Sequence, residues 1–350
     1  MAIFIFAIGL KFNFMRKLVW LLIILLLTII GFSCSFWGIT TAPVISVIHS
    51  DASDSGILSI SLIQDEKLVI KTESLLEIWN YSDPDTPKSI GSYPARVELS
   101  SMILNKYAIM SDFQILDTSN PTAMTPVSMT ATGPILWEEP SEFLDGYLYL
   151  GSFQIVDVNN PQNPNLQSSI DITELSDILV MDNYAYLASS FGLTILDISD
   201  KGTPVVTGRL SGVNSNLEKK LAKSGNTIYV TNWNSESAAI FDVSDKSTPE
   251  KIGEVIIPFE DSKITAIGTY DKMLYLSTKT SFSGLNYSSI MCYDITDPLL
   301  PKYLKDVRFQ STGISEMEIN DDYLFLLNRS LGSTFGISDY PHIIILRRPS

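Results

Sequence analysis

The sequence predicts an all-β fold: a seven-bladed β-propeller of four-stranded antiparallel blades, with the ring closed by an N-terminal strand that completes the last blade. Three observations predict it. One pattern of residues returns about every 40 residues along most of the chain. Each repeat holds four short apolar or β-branched runs separated by turn residues. The last repeat lacks its fourth run, while an orphan run stands ahead of the first.

The repeat is plainest in its third run and the turn that follows. Phe153-Gln-Ile-Val-Asp157 is followed by Pro161 and Pro164, Leu193-Thr-Ile-Leu-Asp197 by Asp200 and Pro204, and Ala239-Ile-Phe-Asp242 by Asp245 and Pro249. The same frame recurs at Asp117 and Asp294, and at Asn80 with Asn in place of Asp. Asp and Ser side chains bond nearby backbone N–H groups, and Pro fixes φ and stops a strand. These six anchors are therefore expected to cap the turn between strands three and four, a structural role. The first two runs of a unit are joined by pairs such as Asp145-Gly146, Asp182-Asn183 and Gly225-Asn226, which tolerate the positive φ of tight hairpins. Four antiparallel strands in about 40 residues make one propeller blade. Blades are expected to start near Ile57, Val97, Ile135, Leu175, Leu217, Ile264 and Ile314. The seventh stops after His342-Ile-Ile-Ile-Leu346, and Val44-Ile-Ser-Val-Ile48 is expected to supply its outer strand. Closing the ring this way removes a sheet edge that would invite aggregation. No helix is expected after the first 33 residues.

These segments resemble the LVIVD repeat: Phe153-Gln-Ile-Val-Asp157-Val and Leu193-Thr-Ile-Leu-Asp197-Ile-Ser-Asp, each with Pro a few residues on. The resemblance is clearest in blades three to five and weakest in blades one and seven, where Arg347 stands in place of the anchor Asp. It implies a β-propeller and the exported or surface setting of a bacterial or archaeal family. That family's biochemical role is largely unassigned, so the resemblance implies no active site.

The start of the chain reads as an address. Residues 1–33 contain Lys11, Arg16 and Lys17 and no acidic residue. Met15-Arg16-Lys17 precedes an apolar run from Leu18 to Gly31, then Phe32-Ser33-Cys34. A basic start, an apolar middle and a small residue before the cut make a signal-peptide pattern. Met15 is the expected true start. Gly31-Phe32-Ser33-Cys34 resembles a lipobox, with Gly31 where Leu is usual, so Cys34 is the expected lipid attachment site. An ordinary signal peptide and an uncleaved anchor helix are the competing readings. The organisation is then a signal peptide over 1–33, a short linker over 34–42 and one propeller over 43–350. The expected setting is the cell envelope, as a membrane lipoprotein or at the surface.

Charge and composition narrow the function. The 350 residues carry a formal charge of −15. Without residues 1–33 the body has 21 basic and 39 acidic residues, or −18. That excess repels phosphate backbones and argues against nucleic acid. Two Cys and two His leave no Cys/His metal spacing and no recognisable Ser/His/Asp set. No cofactor motif is found. Cys292, His49 and His342 read as packing residues. Glu98, Asp177 and Glu316 fall near first strands and could ring the central channel.

Strand parity puts the connections between strands two and three on one face, opposite the Asp/Pro turns. Those connections lengthen on blades five, six and seven, as Thr231–Ser237, Ser277–Ser289 and Asn328–Pro341. Ser, Thr, Asn and Gly with single aromatics and an Arg suit adaptable recognition. Trp233, Phe282, Tyr287, Arg329 and Tyr340 are the candidate contact residues. The expected function is a monomeric binding module for a protein or glycan of the envelope. The alternatives are a channel-centred hydrolase or lyase using carboxylates and a divalent cation, and an envelope-assembly scaffold.

Overall fold

The computed structural model describes residues 44–49, 56–63, 66–72, 74–94, 101–104, 107–110, 115–127, 140–210, 219–232, 235–282, 285–310, 313–328 and 342–349. Among them are seven four-stranded antiparallel sheets. Blade 1 runs Ile57–Ile63, Lys67–Thr72, Leu75–Asn80 and Lys88–Pro94. Blade 2 runs Ser101–Leu104, Tyr107–Met110, Ile115–Asp117 and Thr125–Val127. Blade 3 runs Ser141–Leu144, Tyr147–Leu150, Gln154–Asp157 and Asn165–Ser169. Blade 4 runs Leu175–Met181, Tyr184–Ser189, Gly192–Asp197 and Val205–Leu210. Blade 5 runs Lys219–Ser224, Thr227–Asn232, Ser237–Asp242 and Glu250–Ile256. Blade 6 runs Ser262–Tyr270, Met273–Phe282, Leu285–Asp294 and Lys302–Gln310. Blade 7 runs Ile314–Ile319, Tyr323–Asn328 and His342–Arg347, with Val44–His49 as its outer strand.

The closure pairs Ile48 with Ile343 and His49 with His342, antiparallel. Ile48, Ile343 and Ile345 are buried together with Ile57, Ile60 and Leu68 of blade 1, so the seam carries a core of its own. First strands of consecutive blades touch all the way round, the first against the seventh included, and so line the central axis. The cores lie between neighbouring blades, where the middle strands are buried on both sides. A buried aromatic recurs at one position of the second strand, as Tyr149, Tyr186, Tyr229, Tyr275 and Phe325.

Two boundaries differ from the sequence reading. Described strands of blades 2 and 3 begin at Ser101 and Ser141, later than Val97 and Ile135. Residues 95–100 and 128–139 lie outside the described residues. The only helical turn among the described residues is a 3-10 turn over Pro121–Ala123. It lies within the Asp/Pro turn of blade 2, just after the Asp117 cap. None of the described helices is long and apolar enough to cross a membrane. The leader and Cys34 lie outside the described residues.

Candidate functional site

The six repeat anchors all lie in turns. In each, Oδ1 of the anchor accepts the backbone N–H two residues on. The distances are 2.8 Å at Asn80, Asp197 and Asp242, and 2.9 Å at Asp117, Asp157 and Asp294. These bonds favour the charged form and hold the Asp197 and Asp294 carboxyls below the usual carboxylate range. The N–H in between, of the residue directly after the anchor, ties this turn to the hairpin between strands one and two in blades 3 to 6. Val158, Ile198, Val243 and Ile295 donate to the carbonyls of Gly146, Asn183, Asn226 and Lys272. The two kinds of turn thus form one face of the ring. Each unit also docks on the preceding one. The Lys246 carbonyl of blade 5 sits where a Cβ on Gly208 of blade 4 would be, 2.1 Å from it, and the Pro121 carbonyl of blade 2 does the same at Gly91 of blade 1, at 1.8 Å. The Lys201 and Lys246 ammonium groups cover the rings of Tyr147 and Tyr184 in the preceding blades, at 5.4 and 5.3 Å.

The opposite face is less regular, and blade 6 dominates it. The sequence reading treats Ser277–Ser289 as a loop; the structure corrects this. Strands two and three of blade 6 pair without interruption from Met273–Asp294 out to Phe282–Leu285, ten residues each. The added residues pair side chains across the strands. Thr278 Oγ1 and Ser289 Oγ lie 3.0 Å apart, and Ser262 Oγ and Thr280 Oγ1 lie 2.6 Å apart. Thr is β-branched and fits a pleated surface, so a polar Ser/Thr run extends the sheet.

This extension walls a groove of about 880 Å³ with the crossover from blade 5. Its lining includes Phe259, Ser262, Thr280, Tyr287, Arg308 and Phe309. Tyr287 is 40% exposed. The Arg308 guanidinium lies over the Phe259 ring at 4.7 Å, and its Nε donates to the Asp306 carboxylate. Tyr303 donates to the other oxygen of Asp306, and its ring meets Phe259 edge-on. Arg308 is thus fixed by stacking and by one carboxylate while it lines the groove. Aromatic rings, an ordered Arg and a hydroxyl row make a groove suited to binding. Its volume falls within the range of ligand pockets.

Of the candidate contact residues, Tyr287 is in this groove. Phe282 ends the second strand of blade 6, its side chain outside the description. Trp233, Arg329 and Tyr340 lie outside the described residues. Sequence reasoning missed Phe259, Arg308 and Phe309, which sit on a crossover and an outer strand. The only available signal was the length of blade 6's fourth run.

The channel carboxylates are bound up with the ring. Asp177 Oδ2 accepts the Leu221 N–H of the next blade at 2.7 Å, and Glu316 Oε2 accepts the Ile60 N–H at 2.9 Å. Glu98 lies outside the described residues. Two further acids, Glu142 and Glu318, stand at one level of the inner strands, opposite Tyr149 and Phe325. Burial pushes both carboxyls up to about 8, reinforced by the charges of Asp177 on Glu142 and of Glu316 and Glu142 on Glu318. No group of three His, Cys, Asp or Glu side chains among the described residues is arranged to hold a metal ion. His49 and His342 face each other across the closure, ring centroids 5.7 Å apart. Cys292 is buried in the blade 6–7 core, and burial pushes its thiol up to about 12.

Seven four-stranded blades closed by an N-terminal strand define the class, a seven-bladed β-propeller with a recessed groove on one face. The turn chemistry defines the kind more narrowly. The LVIVD repeat family matches residues 102–132, 144–172, 174–211 and 219–256, which are blades 2 to 5. The chain is a β-propeller that carries LVIVD repeats in four of its seven blades. Comparison with curated protein sequences finds no match. Among solved structures, the WD40 domain of Toxoplasma gondii coronin is similar at a TM-score of 0.58 and 13% identity, covering 86% of this chain and 85% of that one. Kluyveromyces lactis Hsv2 is similar at 0.53 and 13%, covering 79% and 91%. A Lactobacillus plantarum protein is similar at 0.53 and 14%, covering 73% and 85%. At these identities the likeness is one of fold.

Proposed function

We propose that the chain is an extracytoplasmic interaction module, tethered to a membrane through Cys34, that captures an envelope protein or glycan on the face bearing the blade 6 hairpin. The groove beside Tyr287 and Arg308 carries this reading. Aromatic side chains and Arg are the residues that most often anchor binding interfaces. Arg308 is held in place before any partner arrives, which lowers the entropy lost on binding. Crosslinking and co-purification from the native envelope test the reading, with the intact chain beside one whose blade 6 hairpin is cut back to the length of blade 5's. Capture that depends on the hairpin supports the proposal; equal capture by the shortened chain refutes it. The anchor has a separate test. Metabolic lipid labelling should be lost in Cys34→Ala, and an intact protein that takes up no label removes the tether.

The enzymatic reading draws on one observation, the pair of channel carboxyls held protonated near neutral pH. A carboxylic acid in that state is a competent proton donor. Hydrolase activity lost in Glu142→Gln or Glu318→Gln, with the fold intact, would favour it over binding.

A further inference from the structure

The turns between strands three and four of blades 1, 3, 4 and 6 share one pair of backbone N–H bonds, and blade 6 departs from the others in its side chains. The two residues at the tip are Asp85-Thr86, Gln162-Asn163, Gly202-Thr203 and Ser247-Thr248 in blades 1, 3, 4 and 5. In blade 6 they are Leu299-Leu300. The backbone does not ask for leucine. Leu299 N–H bonds Asp297 Oδ1 at 3.0 Å and Leu300 N–H bonds the Asp297 carbonyl at 3.1 Å. Gly202 and Thr203 make the same two bonds to Asp200, at 2.9 and 3.2 Å. Leu299 is 61% exposed and Leu300 75%, the most exposed large apolar side chain among the described residues. Leu304, close by on the strand that follows, is 40% exposed. Single exposed apolar residues are ordinary; a pair at a turn tip with a third beside it is a patch.

The position of the chain's entry says what covers the patch. Val44 pairs with Leu346 at the end of blade 7's third strand. The chain therefore enters on the Asp/Pro-turn face, one blade away from Leu299 and Leu300. Residues 35–43 separate Val44 from Cys34. Nine residues reach roughly 30 Å at most when fully extended. A tether at Cys34 thus holds this sector of the ring within reach of the bilayer. The body is strongly acidic; in this sector Lys272, Lys302, Arg347 and Arg348 balance all but one of Asp271, Asp294, Asp297, Asp321 and Asp322.

We propose that the Leu299–Leu300 turn of blade 6 dips into the bilayer surface and stands the ring on its Asp/Pro-turn face. The blade 6 groove, on the other face, then looks away from the membrane. The inference rests on the tethered reading above. A diacylglycerol at Cys34 carries two chains, enough for stable attachment, but a nine-residue linker fixes no orientation of the ring. The leucine turn supplies that orientation.

The test uses the full chain with its native anchor and Cys292→Ala, in phosphatidylethanolamine–phosphatidylglycerol vesicles containing brominated lipid. A fluorescent label is placed at Leu300→Cys or at Phe191→Cys, which is exposed on the opposite face. The label at 300 should be quenched several-fold more than the label at 191. A label at Lys302→Cys should lose that quenching when Leu299→Asp and Leu300→Asp are added. A protein that floats with the vesicles but shows equal quenching at 300 and 191 overturns the leucine contact and leaves the tether standing. A protein that does not float overturns the tether, and the leucine contact with it.

Discussion

Blade 5 and blade 6 are neighbours built on one frame, and they differ at opposite ends of their strands. In blade 5, strands two and three are six residues long. In blade 6 they are ten, and the extra length lies wholly on the groove face. At the turn face the two blades keep the same N–H bond to Oδ1 of the turn's second Asp, Asp245 or Asp297, but exchange Ser247-Thr248 for Leu299-Leu300. The turn end is over-determined: each anchor bonds its own turn, and the following N–H bonds the hairpin beside it. A sheet can grow at the other end without disturbing those bonds. The difference teaches where this ring stores its structure and where it is free to carry function.

The severest way to break the comparison is to open the ring that both blades depend on. Removing residues 44–49 leaves the outer edge of blade 7 bare and uncovers its seam with blade 1. We expect no cooperative unfolding transition in urea. Ile48→Ala alone should cost about 2–5 kcal/mol. Next is the contact between units in the regular half. Gly208→Ala drives a Cβ into the Lys246 carbonyl and should cost about 1–3 kcal/mol, measured by thermal unfolding.

The channel acids give a pH test. Their folded values, about 8, stand above the unfolded value of 4.5. Between those two points the folded state holds protons that the unfolded state has released. Stability from these groups is therefore present at low pH, falls as pH rises from about 4.5 to about 8, and is flat above. The slope for each fully shifted group is up to ~1.4 kcal/mol per pH unit. Glu142→Gln with Glu318→Gln should flatten the fall and raise the melting temperature at pH 8.5. An unchanged pH profile would show that the acids are not held protonated.

A smaller effect separates the anchor's geometry from its charge. Asp157→Ala removes the acceptor for the Asn159 N–H and should cost on the order of 1 kcal/mol. Asp157→Asn should cost little, because Asn80 already does this work in blade 1. The smallest expected effect on stability is at the groove. Tyr287→Ala should change unfolding by about 0.5 kcal/mol or less while removing partner capture.

Most of the fold was legible because its determinants are local. Asp197, Ser199 and Pro204 lie within one turn, and their chemistry can be read without knowing any neighbour. The closing strand was legible by subtraction, since Val44–Ile48 and the missing strand of blade 7 answer each other. The blade 6 hairpin was misread because Ser277, Thr278 and Thr280 count as loop residues by polarity. Their cross-strand partners, Ser289 and Ser262, are set by register and not by sequence distance. The groove needed that register too, because Phe259, Tyr287 and Arg308 meet only once blade 6 is folded against the crossover. The channel pair left a fainter trace. Glu142 and Glu318 each precede the recurrent aromatic of strand two by seven residues, a coincidence visible only when the units are superposed.

The most direct measurement of the central claim is site-specific photocrosslinking in the native envelope. A photoreactive residue at 287 on the groove face is compared with one at 246 on the turn face. The account predicts a discrete adduct from 287 that is lost with Arg308→Ala, and no such adduct from 246. A discrete adduct from 246 alone, or one from 287 that is indifferent to Arg308, would contradict it.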